Sequence, residues 1–219
     1  HPAREASSLP AAGQEKSGRL RPMDHFDLLA PWYDRLIHPP SDGRLAELLE
    51  TDGRGRLLDA AGGTGRIATT LASIGMPIVV SDGSLRMLQH TRRAPGLLAV
   101  GAMTERLPFT DGAFDRIILV DALHHVADQG ATLSELWRLV APAGRLIVEE
   151  PDISRLPGRL IAFAEKLALM RSHFVTAEWV AGRLAPSASD VRIVRERNTY
   201  WVIALRTAPA GASLPSSPA

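Results

Sequence analysis

A chain of 219 residues, 45% apolar and 22% charged, is long enough to bury one sizeable core and has the ordinary composition of a globular domain. Its formal net charge of +1 supplies no global field for nucleic acid or an anionic membrane, so neither is expected as a partner. The absence of cysteine removes disulfides, thiolate metal sites and cysteine nucleophiles together, no metal site is expected, and no apolar run approaches the ~20 residues of a membrane span.

Residues 1–22 are rich in Pro, Ser and Ala and lack an apolar signal core. They read as a tail, with Met23 a candidate natural start and the cytoplasm the expected compartment. LRPMDHFDLLAPWYDRLI and GRLAELLE are predicted helices, and RLLDA is a short strand bounded by glycine. GRIATTLASIG is a helix closed by Gly75. PIVVSD is the second strand, and SLRMLQHTRR is a helix opened by Ser84 as N-cap. LLAVG and FDRIILVDA are the third and fourth strands. ATLSELWRLVAPAG is predicted as a helix stopped by Pro142 and Gly144, with RLIVEEP as the fifth strand.

Continuous apolar strands alternating with helices predict an α/β fold, a Rossmann-like sheet covered by helices on both faces. After Pro151 two amphipathic helices follow in succession, LPGRLIAFAEKLALMRSHF and TAEWVAGRLA. They are read as a lid insert over about 152–185 within one domain spanning 23–207. VRIVRE and TYWVIALRT are joined by Arg197-Asn198, a turn too short for a parallel crossover. The expected sheet is therefore seven-stranded, mostly parallel, with an antiparallel last strand. Residues 208–219 read as a second tail. Nothing in the sequence specifies an oligomeric state.

The informative stretch is LLDAAGGTGRIA, Leu57 to Ala68, where a buried strand enters a glycine-rich turn and a helix begins at once. Glycine serves where the backbone takes unusual dihedrals or a ligand touches main chain, and the new helix offers unpaired N–H groups. The loop is that of a nucleotide-bearing cofactor. Gly63, Gly65 and Ala68 match the dinucleotide fingerprint, and Asp82 falls at the end of the second strand, where an acid holds ribose hydroxyls. Taken alone, this fits NAD as well as S-adenosylmethionine (SAM). Asp59 just ahead of the glycines favours SAM, because an anion suits an ammonium and a sulfonium and suits pyrophosphate badly. The short remainder after the fifth strand also leaves little room for the substrate domain of a hydride-transfer enzyme.

LLDAAGGTGR, IVVSDGSLRML, MTERLPFTDGAFD, DALHHV and LWRLVAPAGRLIVEE occur in an order that resembles the class I SAM-dependent methyltransferases. FDLLAPWYD is similar to the N-terminal helix of the ubiquinone and menaquinone biosynthesis C-methyltransferases and their small-molecule relatives. The resemblance covers roughly Met23 to Pro151. It implies SAM as cofactor, S-adenosylhomocysteine (SAH) as product, and a small, aromatic or apolar acceptor methylated on carbon or oxygen. By the same resemblance, Asp59 and the backbone of Ala61, Gly63 and Gly65 hold the methionine moiety. Asp82, with Gly83 beside it, takes the ribose hydroxyls, and Thr104 borders adenine. Asp121 lies near the cofactor amine, and Tyr33 closes over cofactor or substrate. Met103 stands where relatives carry Asp or Asn for the adenine amino group, and Ala61 stands where they carry the first glycine.

His124 and His125 follow the fourth strand, at the carboxyl edge where such sheets bind ligands. They are the candidate bases, since histidine titrates near neutral pH. His173 lies on a partly apolar helix, where a structural role is the commoner one. Phe163, Leu167, Met170, Phe174 and Trp179 are candidates for core or for an apolar acceptor pocket, with Trp32 and Tyr33 opposite. Arg155, Arg159, Arg171 and Arg183 could reach a substrate carboxylate. Two other readings of the same residues are a non-catalytic SAM-fold binding protein and an NAD-type oxidoreductase.

Overall fold

In β4 (Phe114–Val120), Ile117 and Leu119 enter the core on one face of the sheet while Ile118 enters the core on the other. That division explains the unbroken apolar runs: successive side chains point to opposite faces, and both faces are covered. A computed structural model describes residues 42–154 and 173–208. The tails, the helix expected over 20–37 and residues 155–172 of the expected insert lie outside the described residues, and with them Trp32, Tyr33, Phe163, Leu167 and Met170. Arg155, Arg159 and Arg171 lie there too.

The described residues open with α1 (Asp42–Leu49), then β1 (Leu57–Ala60) and a short helix α2 (Arg66–Thr70) prolonged by a 3₁₀ turn to Ile74. β2 (Ile78–Asp82), α3 (Leu85–Thr91) and β3 (Leu97–Gly101) follow, then β4, α4 (Gln129–Leu139) and β5 (Val140–Pro151). The described remainder is α5 (Ala177–Leu184), β6 (Asp190–Glu196) and β7 (Thr199–Leu205). The sheet has seven strands in the order β3-β2-β1-β4-β5-β7-β6. β1 to β5 pair in parallel, and β7 is antiparallel to both β5 and β6. The hairpin turns at Arg197-Asn198, with Arg197 at φ 51°. Gly75 closes the 3₁₀ turn at φ 81°, and the Ser84 side chain caps α3 by accepting from the Met87 amide, both as the sequence indicated.

One boundary differs. Helix α4 ends at Leu139, and Pro142 and Gly144 belong to β5. The register against β4 jumps from Val140–Phe114 to Arg145–Arg116. Residues 141–144 form an irregularity there, with Ala143 at φ 60°. Proline lacks the N–H a ladder needs, and such an irregularity is where a strand tolerates it.

Part of the expected insert lies within the described residues. Ala177, Val180 and Leu184 of α5 are buried in the same core as Leu133 and Leu136 of α4 and Val202 of β7. Helix α5 therefore covers the face of the sheet. Arg183, proposed above for a substrate carboxylate, instead lies over the Trp179 ring at 4.9 Å.

Candidate active site

Strand β1 delivers Asp59 and Ala60 to the carboxyl edge, and the chain then turns sharply. Ala61, Gly63 and Gly65 all adopt positive φ, at 52°, 56° and 76°. Gly62 is required for a different reason: a Cβ there would stand 2.6 Å from the Asp59 carboxyl group. Two side chains from the neighbouring β2–α3 unit hold the loop. Asp82 Oδ2 accepts from the Gly63 amide at 2.9 Å while Oδ1 accepts from the Ser84 amide at 2.7 Å. The Thr91 hydroxyl donates to the Gly63 carbonyl at 2.9 Å.

The result is a cleft of about 510 Å³ at the carboxyl ends of β1, β2 and β4. It lies where the strand order reverses between β1 and β4, the position at which open α/β sheets bind ligands. Asp59, Ala61, Gly63 and Asp82 line one part of it. Gly83, Met103 and Thr104 line a second part, and Asp121 and His125 a third. Gly65 is not in the wall; it is the N-cap of α2, packed so closely that a Cβ would press on Thr91 and Leu97. Tyr33 lies outside the described residues.

Asp59 is the unusual group. Its side chain is 1% exposed, it accepts from the Ala68 backbone, and its Oδ2 is buried with no hydrogen-bond partner among the described residues. Burial pushes its carboxyl up to about 7; the Ala68 bond and Arg66 oppose that rise and Asp82 adds to it. At the second part of the cleft, Met103 is 58% exposed with its sulfur over Gly83, where a Cβ would come within 2.8 Å.

The two candidate bases separate. His125 lines the cleft and is half-buried. The His124 ring is fully buried and is not part of the cleft wall. His124 Nδ1 lies 2.5 Å from Glu150 Oε2, and Glu150 Oε1 accepts from the Ala122 and Leu123 amides at 3.0 and 2.6 Å. The His124 and His125 rings touch at a tilt, with centroids 3.9 Å apart and planes at 48°. Sequence reasoning missed Glu150, because its partners lie 26 to 28 positions earlier and no spacing rule links them. It also missed Glu105, which lines the cleft and accepts from the Ala127 and Asp128 amides.

A family model described as "Methyltransferase domain" matches residues 58–148. The chain is 32% identical over 170 residues to the demethylmenaquinone methyltransferase of Deinococcus radiodurans, covering 70% of each protein. It is 42% identical over 96 residues to that of Beutenbergia cavernae, covering 43% of this chain and 40% of the relative. This chain is a class I SAM-dependent methyltransferase family member. Among solved structures, a SAM-dependent methyltransferase from Thermotoga maritima superposes with a TM-score of 0.67 at 21% identity, covering 83% of this chain and 98% of that one. One from Aquifex aeolicus gives 0.61 at 15% identity, over 81% and 98%. At those identities the likeness shows the fold. The match spans 40% and 56% of the length of two of the demethylmenaquinone methyltransferases, so about half of such relatives.

The cleft fits the family's cofactor on its own evidence. A buried carboxylate oxygen with no partner among the described residues suits an ammonium, and the positive-φ loop brings main chain to the cleft. Pyrophosphate at the glycine loop would meet the Asp59 carboxylate, which disfavours a dinucleotide. Among the described residues, no helix is long and apolar enough to cross a membrane.

Proposed function

We propose that the chain transfers the methyl group of SAM to carbon or oxygen of a small aromatic or apolar acceptor, leaving SAH. The observation that carries this reading is Asp59: a buried carboxylate with an open oxygen, beside a left-handed loop, in a cleft whose other end holds His125. In this reading Asp59, Asp121 and the backbone of Ala61, Gly63 and Gly65 hold the amino-acid end of the cofactor. Asp82 and Gly83 take the ribose, and Met103 and Thr104 border the adenine. Tyr33 belongs to the same proposal as a cover over the cleft.

Bound SAM supplies a methyl already activated on a sulfonium. The chain's residues then have three tasks: to hold the acceptor in line, to exclude water, and to take a proton where the acceptor loses one. Alignment alone is worth up to ~7–11 kcal/mol in favourable systems. Val120, Ala122 and Val126 give the cleft an apolar wall beside Asp121 and His125. His125 is the group to receive a proton from the acceptor. Relatives are named for demethylmenaquinone, and we extend that chemistry, a bicyclic naphthoquinone-type ring, to this chain.

Two measurements test the reading. SAH in calorimetry should bind with one-to-one stoichiometry where NAD gives no heat. Radiolabelled SAM should then pass its methyl to reduced demethylmenaquinone. Binding of SAH without transfer to any naphthoquinone-type or phenolic acceptor would leave a SAM-fold binding protein and remove the enzyme.

A further inference from the structure

Two segments meet at the acceptor end of the cleft: the turn Leu123–His125 after β4 and the stretch from His173 to Thr176 that leads into α5. Four contacts dock the second on the first or on the sheet beside it. The His173 amide donates to the His124 carbonyl at 2.8 Å. Gln129, in the first turn of α4, donates its side-chain amide to the Leu123 carbonyl at 3.0 Å and to the His173 carbonyl. The Phe174 ring stacks on the His124 ring, centroids 4.4 Å apart and planes within 13°. The buried Tyr200 hydroxyl donates to the Val175 carbonyl at 3.0 Å.

Both backbone polar groups of His173 are thus paired, and its neighbours are pinned by a ring stack and a buried hydroxyl. A stretch serving only as a connection needs no such fixing. Its effect is to hold the direction in which the His173 side chain leaves the backbone, and His173 lines the cleft together with His125. Asp121 and Glu105, which line the same cleft, are carboxyl groups that accept hydrogen bonds and oppose an anionic ligand. Two imidazoles among carboxylates suit a neutral acceptor that brings its own protons.

We infer that His173 is a second acceptor-facing histidine, positioned by Gln129, and that with His125 it selects acceptors bearing free hydroxyl groups over their ethers. This rests on the methyl-transfer reading for the identity of the acceptor end. An imidazole nitrogen accepts from a phenolic hydroxyl, and a methyl ether of the same ring offers it no proton.

The test is anaerobic calorimetry on the full chain with naphthohydroquinone and its dimethyl ether, each with SAH present, and with SAH alone. The wild-type chain should prefer the hydroquinone. His173→Ala should weaken hydroquinone binding by up to about tenfold, the loss of one neutral hydrogen bond, while ether and SAH binding stay as they were. His173→Gln, which keeps an acceptor, should recover part of the loss. Gln129→Ala should give a smaller selective loss, because it acts through the position of His173. Equal losses for hydroquinone and ether, or a loss that extends to SAH, would make His173 a fold support and overturn the inference. So would a wild-type chain indifferent to the ether. Absence of SAH binding would strike the cofactor reading alone, and a hydroquinone preference that still depended on His173 would stand apart from it.

Discussion

Asp82 Oδ2 accepts a hydrogen bond from the Gly63 amide at 2.9 Å, so the acid at the end of β2 holds the glycine loop that follows β1. Its second oxygen accepts from Ser84, the N-cap of α3. The residue assigned to ribose recognition is therefore also a strut between two βα turns. Asp82→Asn replaces one acceptor oxygen by an NH₂ group that faces a donor. The expected outcome is a loss of about 1–3 kcal/mol in ligand-free stability, measured by urea denaturation, together with weaker SAH binding in calorimetry. Weaker binding with unchanged stability would mean that the strut contributes nothing.

Asp59 gives a pH dependence with a defined sign. Its folded pKa is raised to about 7 by burial, against an unfolded value near that of an ordinary aspartate. Between those two values the folded chain binds the extra proton, so this group makes stability fall as pH rises from about 4 towards 7. Glu149, also raised to about 7 by burial, acts in the same direction. The comparison with Asp59→Asn isolates Asp59. That variant should be more stable than wild type at about pH 8 without ligand, since it removes a buried charge. Ligand binding should run the opposite way. A cofactor ammonium stabilises the ionised carboxylate, so wild-type SAH affinity should climb as pH rises to about 7 and then level off. Asp59→Asn should bind SAH weakly with that rise absent. A flat wild-type profile would separate Asp59 from the ammonium.

Ala61 carries the cost of a side chain in the left-handed region, at φ 52°. That conformation costs an L-residue roughly 1–2 kcal/mol, while a glycine gives back about 0.4–1 kcal/mol through a freer unfolded chain. Ala61→Gly should therefore stabilise the protein by about 1 kcal/mol or less, read as a shift of the urea midpoint at constant slope. A destabilised variant would show that the Ala61 methyl group makes packing contacts worth more than the strain.

The parts of this molecule legible in the sequence are those in which a local rule and the global fold agree. Gly75 and Ser84 mark helix ends by their own chemistry, and Arg197-Asn198 is too short to be anything but a hairpin turn. The Asp59 and glycine-loop cluster is contiguous, so one window reveals it. The local rule misled at Pro142, where a residue that ends helices sits in an irregular strand because the register jump removes the need for its N–H. His124 and His125 are neighbours in sequence with opposite fates, one buried against Glu150 and one facing the cleft. A buried acid from β5 decides between them, and it carries no short-range signal. Gln129 is silent for the same reason, since His173 lies 44 residues away.

Met103 stands, by the resemblance, where relatives carry Asp or Asn, and its surroundings make the consequence testable. It lines the cleft beside Thr104, is 58% exposed, and places its sulfur over Gly83. A thioether accepts hydrogen bonds poorly, so adenine bordered by Met103 would have its amino group served by water or main chain. Met103→Asp supplies a charged acceptor, and hydrogen bonds to charged groups are worth ~1.5–3 kcal/mol. Two effects oppose the gain: partial desolvation of the new carboxylate and loss of the methionine contact with Gly83. Because the site is more than half exposed, both should be small. The expected net effect is roughly a tenfold gain in SAH affinity, equivalent to ~1.4 kcal/mol. The control is an SAH analogue lacking the adenine amino group, whose affinity should not change. An equal gain for both ligands would point to net charge or fold rather than to the amino group. A loss for both would place Met103 away from adenine and would remove Thr104 from the adenine border with it.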